Sequence, residues 1–136
     1  MPVSIREQLL AAITLTVGGE YNTEIPTDER ELPITLVLDD VETATGDYDE
    51  TIIELPVAVA RAAATVGRDG DTQRAQANAL QAEIIAEMFV DSTFGGLAQS
   101  TEYNGGGITL NSTFVGAEAQ FTIKFSHVRG DPYTLS

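Results

Sequence analysis

Hydrophobic positions near the start of the chain repeat with the spacing of an α-helix. Ser4 is followed three residues later by Glu7, which is the pattern of a capping box. Gly18 and Gly19 then supply a C-terminal stop signal. The pattern predicts an amphipathic helix between these signals, and its apolar stripe consists of Ile5, Leu9, Ala12, Ile13 and Val17.

Two later segments alternate between apolar and polar residues, which predicts strands over residues 33–39 and 51–60. The first strand places Ile34, Leu36 and Leu38 on one face. The second strand contains Pro56, whose missing N–H predicts an edge position or a bulge. Its shared face consists of Ile53, Leu55, Val57 and Val59.

Polar segments flank the first of these strands. Residues 20–31 contain Pro26 and read as a polar loop. Residues 39–50 hold six acidic side chains and Gly46, which predicts an acidic turn or an extended hairpin arm. So many carboxylates cannot pack together without partners, so we expect the arm to be exposed.

A second helix is predicted to begin at Asp71 as N-cap and to end near Met88 or Val90. Its core stripe consists of Ala77, Leu80, Ile84 and Met88.

Three short strands are predicted over residues 97–103, 108–115 and 117–126, with a glycine-rich turn at residues 104–107. Phe121, Ile123 and Phe125 share the face expected to enter the core. Residues 128–136 contain Gly130 and Pro132, so we predict an extended, irregular C-terminal tail that is either frayed or docked on a neighbour.

The predicted order α-β-β-α-β-β-β indicates an α+β fold, with two helices packed on a mostly antiparallel sheet. The 136 residues, 43% of them hydrophobic, are expected to form a single domain over residues 1–136. No apolar run is long enough to span a bilayer, and the start lacks the pattern of a signal peptide. We therefore expect no membrane association.

The net charge of −14 is unevenly distributed. Residues 1–60 hold 13 acidic and 2 basic side chains, whereas residues 61–136 hold 8 and 5. Phosphate binding needs clustered cations, so no specific nucleic-acid binding is expected.

The chain shows no recognisable arrangement of catalytic side chains. His127 is the single histidine, and the sequence identifies neither a nucleophile nor an orienting carboxylate for it. Glu83, Glu87 and Asp91 share a helix face, which is read as a solvated surface. No catalytic, cofactor or metal site is predicted, and no enzymatic activity is expected.

Three segments together resemble the tail terminator (tail completion) proteins of long-tailed bacteriophages and prophages. They are the helix exit Asp91-Ser-Thr-Phe-Gly-Gly-Leu-Ala98, the closing Phe121-Thr-Ile-Lys-Phe-Ser-His-Val-Arg-Gly-Asp-Pro-Tyr133 and the opening Ser4-Ile-Arg-Glu-Gln-Leu-Leu-Ala-Ala12. The length and the predicted element order also fit that family.

The resemblance implies a structural virion protein that is assembled in the host cytoplasm and forms a homo-hexameric ring. The ring would lie at the head-proximal end of the tail, capping the tail tube protein and joining the head–tail connector protein, with DNA passing through it. Candidate interface residues are Asp47, Asp49, Glu50, Arg129, Asp131, Pro132 and Tyr133. Candidate cations for subunit contacts are Arg6, Arg30, Arg61, Arg68, Arg74 and Arg129.

Two alternatives remain open. The first is a head-completion, connector or tail-tube-like ring protein of the virion. The second is a small ligand-binding or enzymatic α+β domain, which should show convergent polar groups in a concave site.

Overall fold

The protein is an α+β structure with two helices and a curled, mostly antiparallel sheet of seven strands. A computed structural model describes residues 2–21, 32–111 and 113–136. The elements are α1 (Ile5–Val17), β1 (Glu20–Tyr21), β2 (Ile34–Asp39), β3 (Thr43–Gly46), β4 (Glu50–Ala64), α2 (Gly70–Met88), β5 (Ser100–Leu110), β6 (Phe114–Val128) and β7 (Asp131–Leu135). The predicted fold class is confirmed, and the predicted order matches roughly because β1 and β3 are additional strands.

α1 forms between the predicted start and stop signals. The Ser4 hydroxyl accepts a hydrogen bond from the Glu7 N–H at 3.2 Å. Gly18 ends the helix with φ of 63°, a left-handed conformation that glycine adopts without steric cost. Its N–H donates to the Leu15 carbonyl at 3.2 Å. Local sequence therefore determines both ends of this helix.

The paired strands β4 and β6 form the centre of the sheet. The strand order is β1-β2-β4-β6-β5, and β3 and β7 lie beside β4 and β6 respectively. Phe125, Ile123 and Phe121 of β6 stand directly opposite the buried Ile53, Leu55 and Val57 of β4. The predicted core face of β6 is thus confirmed, and α1 and α2 pack against it.

β2 has buried residues on both faces of the sheet. Val37 pairs with Val59 and joins the helix-covered core. Leu36 is also buried, but it lies on the opposite face of the sheet together with Ile34 and Leu38.

The predicted edge position of Pro56 is wrong, because β4 is a central strand. The predicted bulge is consistent with the register, which shifts by one residue between the pairs Asp39–Val57 and Thr43–Glu54. β2 pairs with β4 up to Val57, and β3 pairs with it from Glu54 back towards the turn. Pro56 therefore lies opposite the connection between β2 and β3, where its carbonyl accepts from the Asp40 N–H at 3.1 Å. A central strand tolerates proline there because no ladder hydrogen bond needs its missing N–H.

α2 begins two residues earlier than predicted. Asp69, and not Asp71, is the N-cap, and its carboxylate accepts from the Thr72 N–H at 3.0 Å. The hydrogen bond from Thr72 lowers the pKa of Asp69. Of the predicted stripe, Leu80 is half-buried, and the fully buried members are Ala77, Ile84 and Met88.

The predicted glycine-rich turn at residues 104–107 is wrong. β5 runs continuously through the glycines, with a register shift between Tyr103 and Gly105, so two long strands replace the three predicted ones. A Cβ at Gly106 would stand 2.0 Å from the Glu118 carbonyl oxygen, so the glycine permits close strand approach. The chain reverses between the end of β5 and the start of β6, where the Asn111 side chain accepts from the N–H groups of Thr113 and Phe114, both at 2.8 Å.

The predicted irregular tail is also wrong. Gly130, with φ of 75°, turns the chain back, and β7 pairs with β6 as an edge strand. Pro132 is compatible with this position because an edge strand has one side without ladder hydrogen bonds. The C-terminal segment therefore docks on its own sheet.

Candidate subunit interface

The predicted interface residues come from two distant segments, and the structure brings the segments together at one end of the sheet. Glu50 pairs with Val128 at the last position of the β4–β6 ladder. Beyond it, the Arg129 N–H donates to the Asp49 carbonyl at 3.0 Å. Residues 47–50 and residues 128–136 therefore form one continuous surface, which we call the hairpin end.

The β3–β4 turn holds an exposed aromatic side chain in a fixed loop. The Asp47 N–H donates to the Glu50 carbonyl at 2.9 Å, and the Asp47 carboxylate accepts from the Asp49 N–H at 3.1 Å. Such aspartate turns restrain the local backbone. Tyr48 lies at the tip and is 86% exposed.

The β6–β7 hairpin presents a second exposed tyrosine. The Asp131 carboxylate accepts from the Tyr133 N–H at 3.1 Å and from the Thr134 hydroxyl at 2.7 Å. Tyr133 is 49% exposed. A tyrosine on a restrained backbone offers apolar area and a hydroxyl at low entropic cost, which is typical of interface anchors.

A chain of hydroxyl groups ties the hairpin end to the core. Gln99 donates to the Ser126 hydroxyl at 2.8 Å, and Ser136 donates to the Glu50 carboxylate at 2.6 Å. Because a hydroxyl has one proton, Ser126 must then donate in its 2.6 Å contact with Ser136. Ser126 is the one buried polar residue among those described. Sequence analysis missed these residues, since an isolated serine or glutamine carries no pattern.

The charge of the hairpin end is negative. Its acidic side chains outnumber the single cation Arg129 by four to one, and they are Asp47, Asp49, Glu50 and Asp131. The arrangement favours a partner surface that carries cations.

Three of the arginines proposed for subunit contacts form ion pairs within the subunit, and the exposed one, Arg74, lies 3.1 Å from Asp71 of the same helix. Arg6 of α1 forms ion pairs with Asp39 and Glu42. Asp39 also accepts a hydrogen bond from the Tyr21 hydroxyl at 2.5 Å. Burial alone would raise the pKa of Asp39, but the hydrogen bonds from Tyr21 and Arg6 and the charge of Arg6 lower it overall. Part of the predicted acidic arm is therefore bound to α1 and is not a free loop.

Arg61 is the second engaged arginine. It donates to the Val17 carbonyl at 2.9 Å and to the Thr35 hydroxyl at 2.8 Å. Its guanidinium lies 2.7 Å from Glu87 and 3.5 Å from Glu83, so these carboxylates are not the purely solvated face predicted. Arg30 lies outside the described residues, and the arginines described at the surface are Arg68, Arg74 and Arg129.

The other polar candidates have structural contacts. The His127 ring lies 2.9 Å from the Val128 carbonyl. Asp91 accepts from the Gly95 N–H at 2.8 Å and from Thr93, and the hydrogen bond from Gly95 lowers the pKa of Asp91. Among residues 2–21, 32–111 and 113–136, no group of histidine, cysteine or acidic side chains has metal-binding geometry.

Comparisons with known proteins give no family assignment. The chain matches no model of a protein family and no curated protein. Neither described helix is long and apolar enough to cross a membrane.

Proposed function

We propose that this chain is a structural virion protein, the tail terminator subunit of a long-tailed bacteriophage or prophage. Copies of the subunit close into a hexameric ring at the head-proximal end of the tail. The ring caps the tail tube and joins it to the head–tail connector, and DNA passes through the ring without sequence-specific contacts. The resemblance of three segments and the α+β fold with its two helices support this proposal.

The strongest support for the proposal is the meeting of the two predicted contact segments at one surface. The acidic turn and the C-terminal segment, each selected from the sequence as a contact segment, meet at the hairpin end and expose Tyr48 and Tyr133 there. A folded subunit gains little from two exposed tyrosines on restrained turns, whereas an assembling subunit buries them. A ring built from one repeated heterologous contact needs such a protruding surface on every subunit.

Electron microscopy of the purified protein beside intact particles tests the proposal directly. We expect rings with six-fold symmetry, and antibody labelling should place the protein where the tail meets the head. Ring formation should increase with salt, because salt screens the repulsion between subunits of charge −14. A protein that stays monomeric at every salt concentration and is absent from the head–tail junction would contradict the proposal.

Point variants test the role of the hairpin end. Tyr48→Ser and Tyr133→Ser should lower the ring yield without changing the melting temperature, since both side chains are exposed. Leu15→Ser is the matched control because Leu15 is 84% exposed on α1, outside the hairpin end. An equal ring yield for all three variants would exclude the hairpin end from ring assembly.

A triple variant separates ring assembly from attachment. Asp47→Asn, Asp49→Asn and Glu50→Gln together keep the oxygen acceptors of the turn and of Ser136. The subunit should remain folded, and any loss should appear in attachment to the tube or the connector. Unfolding of the triple variant would show that the acidic turn has a structural role instead.

A further inference from the structure

The outer edge of β5 is an open strand edge with little charge. β5 ends the sheet order and pairs with β6 on one side, and no described strand lies on its other side. Its 11 residues include one charged side chain, Glu102, and no proline or lysine. Protected edges usually carry such residues or a covering element. The outward N–H and C=O groups of β5 are therefore able to pair with another strand.

The helix-facing side of this edge is apolar. Tyr103 and Ile108 are 38% and 37% exposed, and Leu110 on the same face is exposed as well. The rings of Tyr103 and Phe89 lie 5.7 and 6.2 Å from the buried Phe121 ring. Phe89 and Tyr103 thus extend the core toward the sheet edge, and Ile108 and Leu110 lie on the same face further along β5. We call these four side chains the apolar strip.

The opposite side of the same edge is a polar depression. Gly105 and Gly107 stand opposite Gln120 and Glu118 and contribute no side chains, which leaves an open space of ≈ 350 Å³ lined by these residues and their neighbours in β5. The Glu118 carboxylate lies in this space and accepts from the Gln120 amide at 2.9 Å. A side chain projecting from an added strand on this face would meet a carboxylate.

We propose that the β5 edge binds an extended segment of a partner protein by strand addition. Alternate residues of the segment are apolar and contact the apolar strip, and the residues between them are lysine or arginine and project toward Glu118. Strand addition takes its affinity from main-chain hydrogen bonds and its specificity from alternate side chains. The occupant is a cationic segment and not the β5 edge of a second copy, because β5 has no basic residue that could meet Glu118.

The proposal is independent of ring formation, and a capped octapeptide of alternating valine and lysine is its first probe. Fluorescence anisotropy with the full chain should detect binding of this peptide. The matched peptide of alternating valine and glutamate should bind at least about tenfold more weakly, because its charges repel the depression. Equal binding of the two peptides would overturn the proposed specificity.

Backbone methylation tests strand addition itself. Two versions of the lysine peptide are N-methylated on opposite alternate sets of amides, so they share composition and charge. In an added strand only one set faces β5, so one version should bind like the parent and the other should lose binding. Equal affinities of the two versions would overturn edge pairing and indicate diffuse charge attraction.

Protein variants locate the site. Glu118→Gln should weaken binding of the lysine peptide by about fivefold, since a charge-assisted hydrogen bond becomes a neutral one. Glu20→Gln, on the exposed β1 strand near the opposite edge, is the matched control and should leave binding unchanged. Ile108→Ser should also weaken binding, whereas Leu15→Ser should not. Equal effects of each variant and its control would overturn the assignment. Self-association of the protein through the β5 edge, which would exclude the peptide, would overturn it as well.

Discussion

The Ser136 hydroxyl donates to the Glu50 carboxylate at 2.6 Å and thereby joins residues 86 positions apart in the chain. Glu50 begins β4, and Ser136 directly follows β7, so the contact fixes the C-terminal segment against the central strand β4. The ladder between β6 and β7 has only two paired positions, His127 with Leu135 and Val128 with Asp131. Side-chain contacts therefore have a large share in holding β7 in place.

Removing the Glu50 carboxylate should loosen β7. Glu50→Ala leaves the Ser136 hydroxyl without its acceptor, and we expect a loss of about 1 kcal/mol in the free energy of unfolding. Amide hydrogen exchange of residues 131–135 should accelerate more than that of β6. Glu54→Ala, an exposed position of the same strand, is the control. Unchanged exchange in β7 of Glu50→Ala would contradict this role.

The stability of the contact between α1 and β2 should depend on pH through Asp39. The pKa of Asp39 in the folded protein lies below its ordinary value of 3.8, so the ionised carboxylate stabilises the fold. This contribution is fully present above pH 3.8 and is lost as the pH falls through the lowered pKa.

Asp39→Asn tests this linkage. At neutral pH the variant should lose about 2 kcal/mol, since charge-assisted hydrogen bonds from Tyr21 and Arg6 become neutral ones and the attraction to the Arg6 charge is lost. The difference from the wild-type protein should shrink in the acid range as Asp39 of the wild-type protein becomes protonated. Asp40→Asn is the control, because an asparagine can still accept from the Val41 N–H. A difference that persists undiminished at acid pH would contradict the linkage.

Two neighbouring glycines of β5 should respond oppositely to alanine. At Gly106 a Cβ would stand 2.0 Å from a backbone oxygen, so β5 and β6 must separate. We expect Gly106→Ala to cost about 2 kcal/mol or more, as overpacking does. At Gly107 no atom lies within 4 Å of the added Cβ, and Gly107→Ala should be neutral or slightly stabilising. Equal melting temperatures of the two variants would show that β5 and β6 are not in close contact there.

Phe121 should be one of the most costly residues to truncate. It is fully buried and touches the rings of Phe89 and Tyr103. Phe121→Ala should lower the free energy of unfolding by about 3–5 kcal/mol in denaturant titration. Gln120→Ala, the exposed neighbour on the opposite face, should change it by less than about 0.5 kcal/mol. A small effect of Phe121→Ala would place the core elsewhere.

Local sequence signals are sufficient to specify α1 and the alternation of the core strands. Ser4 and Gly18 act through hydrogen bonds within one turn of the helix, so their effect is readable locally. The period-two pattern of Phe121, Ile123 and Phe125 likewise needs no knowledge of neighbours, because alternation is a property of any strand. The two segments of the candidate interface were also recognisable, one from its acidic residues and the other from its glycine and proline.

The partner of each strand, by contrast, depends on long-range packing. Gly106 reads as a turn residue until the closeness of Glu118 shows that a strand must pass there. Pro56 reads as an edge residue until the gap between β2 and β3 accounts for its missing N–H. Ser126 and Ser136 become a connection to Glu50 only when three strands converge. Glycine, proline and serine are ambiguous in sequence, because each allows several conformations or contacts and long-range backbone packing selects among them.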